Sequence, residues 1–194
     1  MSRRQALLAL LLGVSLPARA RAQLSELHFG AVGSYATGSA YQGGAGLTAS
    51  YAPGRIAYVG LNWIYYFGSS EGTTDTTGSY NVTSGAQLFG ADLGLEFPIG
   101  KLELIGGMTL GAVRFWQGTT PAATPTAAPA TAIGTAFLFA PMVQLEIRTG
   151  PIMLVPRVSY YFAGSPDLRW PVGHNGLALS LFLVIPIETD RIRY

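Results

Sequence analysis

Hydrophobic and polar side chains alternate with a period of two along most of this chain. In residues 101–116, KLELIGGMTLGAVRFW, every second position from Leu102 to Ala112 is apolar or glycine, whereas the intervening positions include Glu103 and Thr109. Alternation of this kind is typical of a β-strand whose two faces meet different surroundings. Eight such segments predict eight strands, with approximate bounds 26–36, 44–52, 55–67, 85–97, 101–116, 133–148, 151–162 and 176–187.

The connections between these segments alternate in length. Long or medium connections at 37–43, 68–84, 117–132 and 163–175 are separated by short ones with the sequences APGR, PIGK and RTGP. Proline and glycine, which occur in each short connection, are typical of tight turns. An even number of strands with alternating short turns and long loops is the pattern of an outer-membrane barrel, with the short turns in the periplasm.

The two faces of the predicted strands differ in a way that indicates their surroundings. One face is rich in leucine and aromatic residues and carries no charge except Arg114, near the end of the fifth segment. The other face combines glycine, alanine and hydroxyl side chains with a few acids. Eight such apolar faces exceed what a soluble monomer exposes, and turning them inward would leave an outer surface too poor in charge for water. Contact with lipid resolves both difficulties, and closure of the sheet leaves no unpaired strand edge in hydrocarbon.

We therefore predict an all-β fold, an eight-stranded antiparallel up-and-down transmembrane β-barrel. A soluble, secreted lipocalin-like barrel is the structural alternative. Pro141 and Pro156 lie inside predicted strands, where each removes a ladder donor, so we expect bulges or irregular pairing between the sixth and seventh strands. A spanning barrel also needs interfacial aromatic girdles. The outer girdle is predicted to contain Tyr65, Tyr66, Phe67, Trp116, Tyr160, Tyr161 and Phe162.

Composition agrees with a membrane protein. The mean hydropathy is +0.33, and only 11% of the 194 residues are charged, where about 25% is usual for soluble domains. Because the chain has no cysteine, it can form neither a disulfide nor a cysteine-ligated metal site.

The N-terminus has the pattern of an export signal. Residues 1–22 begin with a basic stretch, continue with an apolar run and end with small residues, as a signal peptide does. Cleavage is expected after Ala20 or Ala22, which leaves 23–194 as the barrel. A twin-arginine signal is a weaker alternative for the same segment. Loss of its four arginines leaves eight basic against ten acidic residues, so the formal charge of +2 becomes −2 and does not support nucleic-acid binding.

With this architecture the chain resembles the small eight-stranded outer-membrane barrels of Gram-negative bacteria, the group related to the OmpA transmembrane domain and OmpX. The resemblance covers the expected mature chain and rests on architecture, because no family-specific motif is matched. It implies a monomer in the bacterial outer membrane, inserted by the barrel-assembly machinery and surrounded by outer-membrane lipid and lipopolysaccharide. It implies no cofactor and no nucleic-acid partner. The chain departs from the group at 188–194, which breaks the alternation and is either a bulged strand end or a periplasmic tail.

The inward face is predicted to carry a polar network, most of it toward the periplasmic half of the barrel. Its members are Asp92, Glu96, Glu103, Gln144, Glu146 and Arg157. Arg157 is the one base deep in this face, and we expect it to neutralise one or two carboxylates in a packed interior. The functional alternative is an ion-pair gate in a narrow channel for ions or small solutes. Eight strands leave an interior that side chains can fill, which argues against a wide pore.

The sequence carries no pattern for catalysis or metal binding that we recognise, and we expect neither. A lipid A-modifying enzyme is the remaining alternative, because lipid A deacylases resemble this chain in size and use a histidine and a serine on one strand. His174 and Ser180 are six positions apart, which is about 20 Å along a strand, and Asp167 is the nearest acid. We therefore expect a structural or surface-interaction role in envelope integrity, adhesion or defence, with the proline-spaced loop 118–132 as a candidate surface arm.

Overall fold

The structure is a computed structural model that describes residues 25–53, 56–75, 78–100, 102–121 and 130–188. The predicted signal peptide at 1–22, residues 122–129 of the proline-spaced loop, and 189–194 of the C-terminal segment lie outside the described residues. Within the described ranges, no helix is both long and apolar enough to cross a membrane.

Eight antiparallel strands form one closed barrel in which each strand pairs with its neighbours in sequence and β8 returns to β1. The predicted fold class is therefore confirmed. The closing ladder runs from the pair Glu26–Glu188 to the pair Ala36–Ala178, so β1 has partners on both sides along its whole length. The strands are β1 Glu26–Ala36, β2 Gln42–Ala52, β3 Ala57–Asp75, β4 Gly78–Ile99, β5 Leu102–Pro121, β6 Ala130–Thr149, β7 Ile152–Ala163 and β8 Gly176–Glu188.

Four strands, β3 to β6, are longer than the sequence predicted. The predictions of loops throughout 68–84 and 117–132 were wrong, because 68–75, 78–84, 117–121 and 130–132 are strand. The side chains of these extensions are mostly small or bear hydroxyl groups. Because the two faces of such an extension differ little in polarity, the sequence shows no apolar alternation from which a strand could be predicted. Its threonines nevertheless suit a β-strand.

The extensions form a four-stranded sheet that stands beyond the ends of the flanking strands and is called the crown here. It comprises 69–75, 78–84, 117–121 and 130–132. The flanking strands stop lower, since β2 pairs with β3 only as far as Tyr66 and β7 pairs with β6 only from Leu138. A hydrogen bond of 2.7 Å between the hydroxyls of Ser70 and Thr83 joins two crown strands, as cross-strand hydroxyl pairs commonly do.

The crown begins at a bulge in β3. The β3–β4 register shifts between Tyr66 and Ser69, and Gly68 has a φ of +68°. Glycine adopts this left-handed conformation without steric cost, whereas other residues seldom do. A Cβ added at Gly68 would lie 1.7 Å from the carbonyl oxygen of Ser84 on the neighbouring strand. The bulge therefore depends on glycine both for its backbone conformation and for space.

Bulges or irregular pairing were predicted at the two strand prolines, and irregular pairing is present. The β6–β7 register is constant from Leu138–Ala163 to Thr149–Ile152, but pairs are missing opposite Pro141 and opposite Pro156. The predicted irregular pairing is thus present as interruptions. Each proline ring lies on the exposed outer face, so a missing N–H breaks the ladder locally without requiring an extra residue.

The outward face of the barrel is apolar, whereas the inward face combines polar, aromatic and aliphatic side chains. Large hydrophobic side chains remain exposed all round the outside, with Leu61 64% and Phe137 65% exposed, for example. Asp92 on β4 and Gln144 on β6 are 0% and 2% exposed. A surface of this kind matches hydrocarbon rather than water, so the assignment of the leucine-rich face to lipid is confirmed.

The loop between β7 and β8, residues 164–175, folds back over the outer mouth. Gln117 on β5 holds it at Trp170, where the side-chain amide donates to the backbone carbonyl (3.2 Å) and its oxygen accepts from the backbone N–H (3.1 Å). The N–H of Gly173 donates to Ser39 Oγ at 2.8 Å. Leu168 and Val172 pack against the buried interior cluster. The barrel is thus capped by its own chain at this end.

The bulge predicts a strong position dependence for glycine substitution within one hairpin. Gly68→Ala should lower the free energy of unfolding by about 1–3 kcal/mol, because alanine would be strained at this φ and would contact the Ser84 carbonyl. Gly72→Ala is the matched control, since its Cβ would approach only Asn81 Oδ1, at 4.0 Å. Urea unfolding from phospholipid vesicles, followed by tryptophan fluorescence, measures both. Equal stabilities of the two variants would contradict the described bulge.

Candidate functional site

An ion pair lies at the centre of the barrel interior. Arg157 on β7 and Asp92 on β4 face each other, and an Arg157 terminal nitrogen (Nη2) lies 2.6 Å from Asp92 Oδ2. Arg157 Nε also donates to the side-chain oxygen of Gln144 at 2.8 Å, and its guanidinium lies 4.3 Å from the ring centroid of Phe182. The arginine is 5% exposed. Its charge is therefore compensated by a carboxylate, an amide and an aromatic face.

The carboxylate of Asp92 accepts two further hydrogen bonds. Asn62 Nδ2 donates to Oδ2 and Thr109 Oγ1 donates to Oδ1, both at 2.6 Å. The three donors to Asp92 lie on β3 (Asn62), β5 (Thr109) and β7 (Arg157). Their hydrogen bonds therefore join strands on opposite sides of the barrel. A buried carboxylate is retained at low cost when its acceptor positions are filled in this way. The network ties strands together that share no ladder.

The outer third of the interior is filled by a cluster of aromatic rings. The Tyr41 ring centroid lies 5.1 Å from that of Tyr66, 5.3 Å from that of Tyr161 and 5.9 Å from that of Phe115, all in edge-to-face geometry. The Tyr66 hydroxyl is 2.7 Å from the Tyr161 hydroxyl and 2.8 Å from Ser34 Oγ. Edge-to-face pairs of this spacing are favourable. The cluster closes the interior below the loop 164–175.

Two residues assigned to the outer aromatic girdle belong to this cluster instead. Tyr66 is 0% exposed and Tyr161 is 4% exposed, so their assignment to the membrane interface was wrong. Consecutive residues of a strand point to opposite faces, and a run such as Tyr65–Tyr66–Phe67 cannot face lipid throughout. The structure places the other five girdle residues on the outer face, and they are Tyr65, Phe67, Trp116, Tyr160 and Phe162.

Tyr41, in the turn between β1 and β2, connects the aromatic cluster to the capping loop. Its hydroxyl donates to the backbone carbonyl of His174 at 2.9 Å. Burial raises the pKa of the Tyr41 hydroxyl far above its ordinary value, and Tyr161 adds to the increase. The hydroxyl therefore stays protonated and keeps its role as a donor.

A second charged group lies near the periplasmic end. Arg148 donates to both carboxylate oxygens of Glu26, at 3.1 and 2.5 Å, and lies 3.8 Å from Glu103. His28 Nε2 is 3.3 Å from Glu26 and its Nδ1 is 3.3 Å from Ser50 Oγ. Arg148, Glu26 and His28 were not among the residues predicted for the network. All three have the inward phase of their strands, which is the signal that could have identified them.

The predicted polar residues thus divide between two groups. Asp92, Gln144 and Arg157 meet at the centre, whereas Glu103 lies near Arg148 and directly opposite Glu146 in the β5–β6 register. Glu96 and Glu146 are 7% and 2% exposed. Both carboxylate oxygens of Glu146 are buried without a hydrogen-bond partner among the described residues. In the same set of residues, no three His, Asp or Glu side chains are grouped so as to hold a metal ion.

The residues considered for lipid A chemistry lie in different environments. His174 is in the capping loop, with Nδ1 3.0 Å from the carbonyl oxygen of Val172. Ser180 is inside the barrel, with its Oγ 2.8 Å from that of Ser34. Asp167 is exposed in the loop. These contacts give the serine no base, which nucleophilic catalysis requires.

Very little space remains inside. The void beside Arg157 and Ser180 and the one beside His28 and Gln144 each measure about 10 Å³, close to the smallest volume that admits one water. The interior therefore forms a packed plug of aromatic, aliphatic and polar side chains.

Comparison with known proteins identifies the class of this fold. No protein-family model matches the sequence, and a comparison with curated proteins finds no match. Among solved structures, a major outer membrane protein of Thermus thermophilus is similar with a TM-score of 0.67 and 13% identity, over 84% of this chain and 99% of that one. Neisserial surface protein A (NspA) is similar with a TM-score of 0.52 and 12% identity, over 84% and 96%.

A third similar structure is Ail, the attachment invasion locus protein of Yersinia pestis, in complex with the heparin analogue sucrose octasulfate. Its TM-score is 0.50 at 13% identity, over 84% of this chain and 97% of that one. The apolar outer face and the closed sheet make this chain a membrane-spanning barrel. Its fold is that of the small eight-stranded barrels of the bacterial outer membrane, which is therefore its location.

The central ion pair predicts a non-additive response to mutation. Arg157→Met should lower the free energy of unfolding by about 3–5 kcal/mol, because it leaves Asp92 buried without its cation. Asp92→Asn should cost a comparable amount, and the double variant should lose less than the sum. Urea unfolding from lipid vesicles gives the free energies, and heat-shift gels give an independent ranking. Unchanged heat resistance of Arg157→Met, with exposed Asp167→Asn as control, would count against the network.

The packed interior predicts the absence of a conducting path. Purified barrel in planar lipid bilayers should show no reproducible single-channel steps, because the voids beside Arg157 are too small for hydrated ions. Protein whose folding has been checked by heat shift is the sample to use. Regular open states in such recordings would support the gated-channel alternative and contradict the packed plug.

Proposed function

We propose that this protein is a surface-interaction protein of the outer membrane, whose crown binds an extracellular protein partner by pairing with one of its strands. The observation that supports this proposal is the difference in strand length. Strands β3 to β6 continue past the points where β2 and β7 cease to pair with them. A barrel that only filled the membrane would need no such extension, because about 9–11 residues suffice for a tilted spanning strand.

The β3 side of the crown is the edge available for pairing. The last β2 pair is Gly44–Tyr66. Above this pair, two hydrogen bonds connect β3 to the β1–β2 turn. The N–H of Gly68 donates to the backbone carbonyl of Tyr41 (3.1 Å), and Ser69 Oγ donates to the backbone carbonyl of Ser39 (2.9 Å). Beyond Ser69, β3 is paired with β4 alone among the described residues. A free strand edge of this kind is a template for strand addition.

The crown is held in place before any partner arrives. The capping loop packs against β6 at the base of the crown, where a Cβ added at Gly134 would lie 3.0 Å from Pro166 and 3.2 Å from the Asp167 nitrogen. The Arg169 guanidinium lies 5.6 Å from the ring centroid of Tyr80 on the crown. Rigid presentation lowers the entropy that binding has to overcome.

The similar structures agree with a surface role. NspA is by name a surface protein, and Ail is by name a protein of attachment and invasion. Adhesion, rather than envelope integrity or defence, is the role that a protruding strand edge serves most directly. The channel and enzyme alternatives receive no comparable support, because the interior is filled and Ser180 has no base.

Shortening one crown hairpin tests the proposal. Because Ser70 and Thr83 are paired, residues 71–82 can be replaced by Asn-Gly, which closes a two-residue hairpin. Bacteria displaying this variant should adhere at least about tenfold less than the parent to a surface coated with fibronectin, a protein whose β-domains offer edge strands for pairing.

The matched control is the double variant Thr74→Ala/Ser79→Ala. It removes a cross-strand hydroxyl contact of 3.2 Å but leaves the backbone edge in place, so adhesion should be retained. Surface labelling and heat-shift gels confirm equal display of folded barrel. Adhesion of the shortened variant at the parental level would contradict the proposal, as would a parent that adheres no better than cells lacking the protein.

A further inference from the structure

One charged side chain interrupts the apolar outer face. Arg114 on β5 is exposed and outward, and it is the only charged residue at the described outward positions of the eight strands. None of the ion pairs among the described residues includes it. An arginine on the lipid face is costly at the membrane midplane but costs little near the interface. Arg114 lies just below the crown, at the outer end of the apolar belt.

Polar neighbours flank Arg114 on the adjacent strands. Its direct cross-strand partners are Gln87 on β4 and Thr135 on β6, and Gln87 in turn faces Tyr65 on β3. An open cleft of about 370 Å³ is lined by Tyr65, Gln87, Arg114, Trp116 and Ile133. This cleft brings a guanidinium, an amide and a phenol together at one depth, so it offers several hydrogen-bond donors to a single anion.

Directly below this cleft, the outer face forms an apolar groove of about 920 Å³. Its walls include Trp63 and Phe89, each two residues along its strand from Tyr65 and Gln87, a separation of about 7 Å. The floor is low because Ala49 and Ala91, which point outward, have small side chains. From the crown toward the middle of the membrane, the polar cleft therefore comes first and the apolar groove second. A lipid phosphate and its acyl chain have the same order.

Above the cleft, the outer face of the crown is polar and uncharged. Trp116 lies over Gly85, whose added Cβ would be 2.3 Å from the ring. The next outward positions are Ser70, Thr83, Gly118 and Thr131. A phospholipid with a small headgroup would not reach this wall of hydroxyls. A glycolipid, whose sugars project from the phosphate, would meet it.

We propose that Arg114 and Gln87 bind a phosphate of lipid A, the phosphorylated glycolipid anchor of lipopolysaccharide, while one of its acyl chains occupies the groove beside Trp63 and Phe89. The guanidinium donates two parallel hydrogen bonds to phosphate oxygens. The amide of Gln87 adds a third, and the sugars lie against the crown hydroxyls. This site faces the membrane and does not depend on what the crown binds.

Native mass spectrometry of the detergent-solubilised barrel tests the proposal with three lipids. They are bis-phosphorylated lipid A, dephosphorylated lipid A and phosphatidylglycerol. The parent should bind bis-phosphorylated lipid A about tenfold more tightly than either of the others. Arg114→Gln should abolish this preference, and Arg114→Lys, which keeps the charge but loses the fork geometry, should retain part of it. Arg169→Gln removes a charge from the capping loop and should leave the preference unchanged.

The groove is tested separately. Ala91→Trp fills its floor and should weaken the binding of both forms of lipid A, whereas Leu181→Trp, on the outward face of β8, should not. Ala91→Leu serves the same purpose if the larger substitution prevents folding. Unchanged binding in Arg114→Gln would overturn the proposal. Equal retention of phosphatidylglycerol and bis-phosphorylated lipid A by the parent would also overturn it, because the site would then not distinguish the glycolipid.

Discussion

In the hydrocarbon of a membrane, a backbone N–H or C=O without a partner costs several kcal/mol, and the architecture of this protein follows from that cost. A sheet can avoid it only by closing on itself. Here the ladder between β1 and β8 completes the ring, and it extends along all of β1. Closure at eight strands in turn fixes an interior so narrow that side chains fill it. The outer face is then left to lipid and the inner face to the side chains of the opposite wall.

Polar side chains in so narrow a space must satisfy one another. Arg157 reaches Asp92 across the barrel, and Asp92 takes its remaining hydrogen bonds from Asn62 and Thr109 on two further strands. The contact between Arg157 and Asp92 connects β7 with β4, which have no backbone ladder in common. The central network and the aromatic cluster around Tyr41 thereby hold the barrel against distortion of its cross-section, which the ladders alone resist only along the wall.

Much of this structure could be predicted from the sequence, because lipid and barrel interior differ sharply in polarity. The phase of Asp92, Gln144 and Arg157 placed all three inside, and the proline and glycine turns gave the strand count. Prediction failed where that contrast was absent. The two faces of the crown strands differ little in polarity, so the two-residue alternation of a strand could not be recognised there. Tyr66 was assigned from its aromatic neighbours rather than from its phase in the strand. The contact between Arg148 and Glu26 joins residues 122 positions apart, and no pattern along the chain encodes the stagger that brings them together.

The unequal strand lengths have a mechanical consequence. A pull on the crown enters the barrel through β3 to β6. It passes to β2 through the ladder from Tyr51–Val59 to Gly44–Tyr66. It passes to β7 through the pairs between Leu138–Ala163 and Thr149–Ile152. A force directed along the strands loads these hydrogen bonds in shear, all at once, instead of opening them in succession. The barrel wall can therefore transmit tension from outside the cell into the plane of the membrane without unzipping.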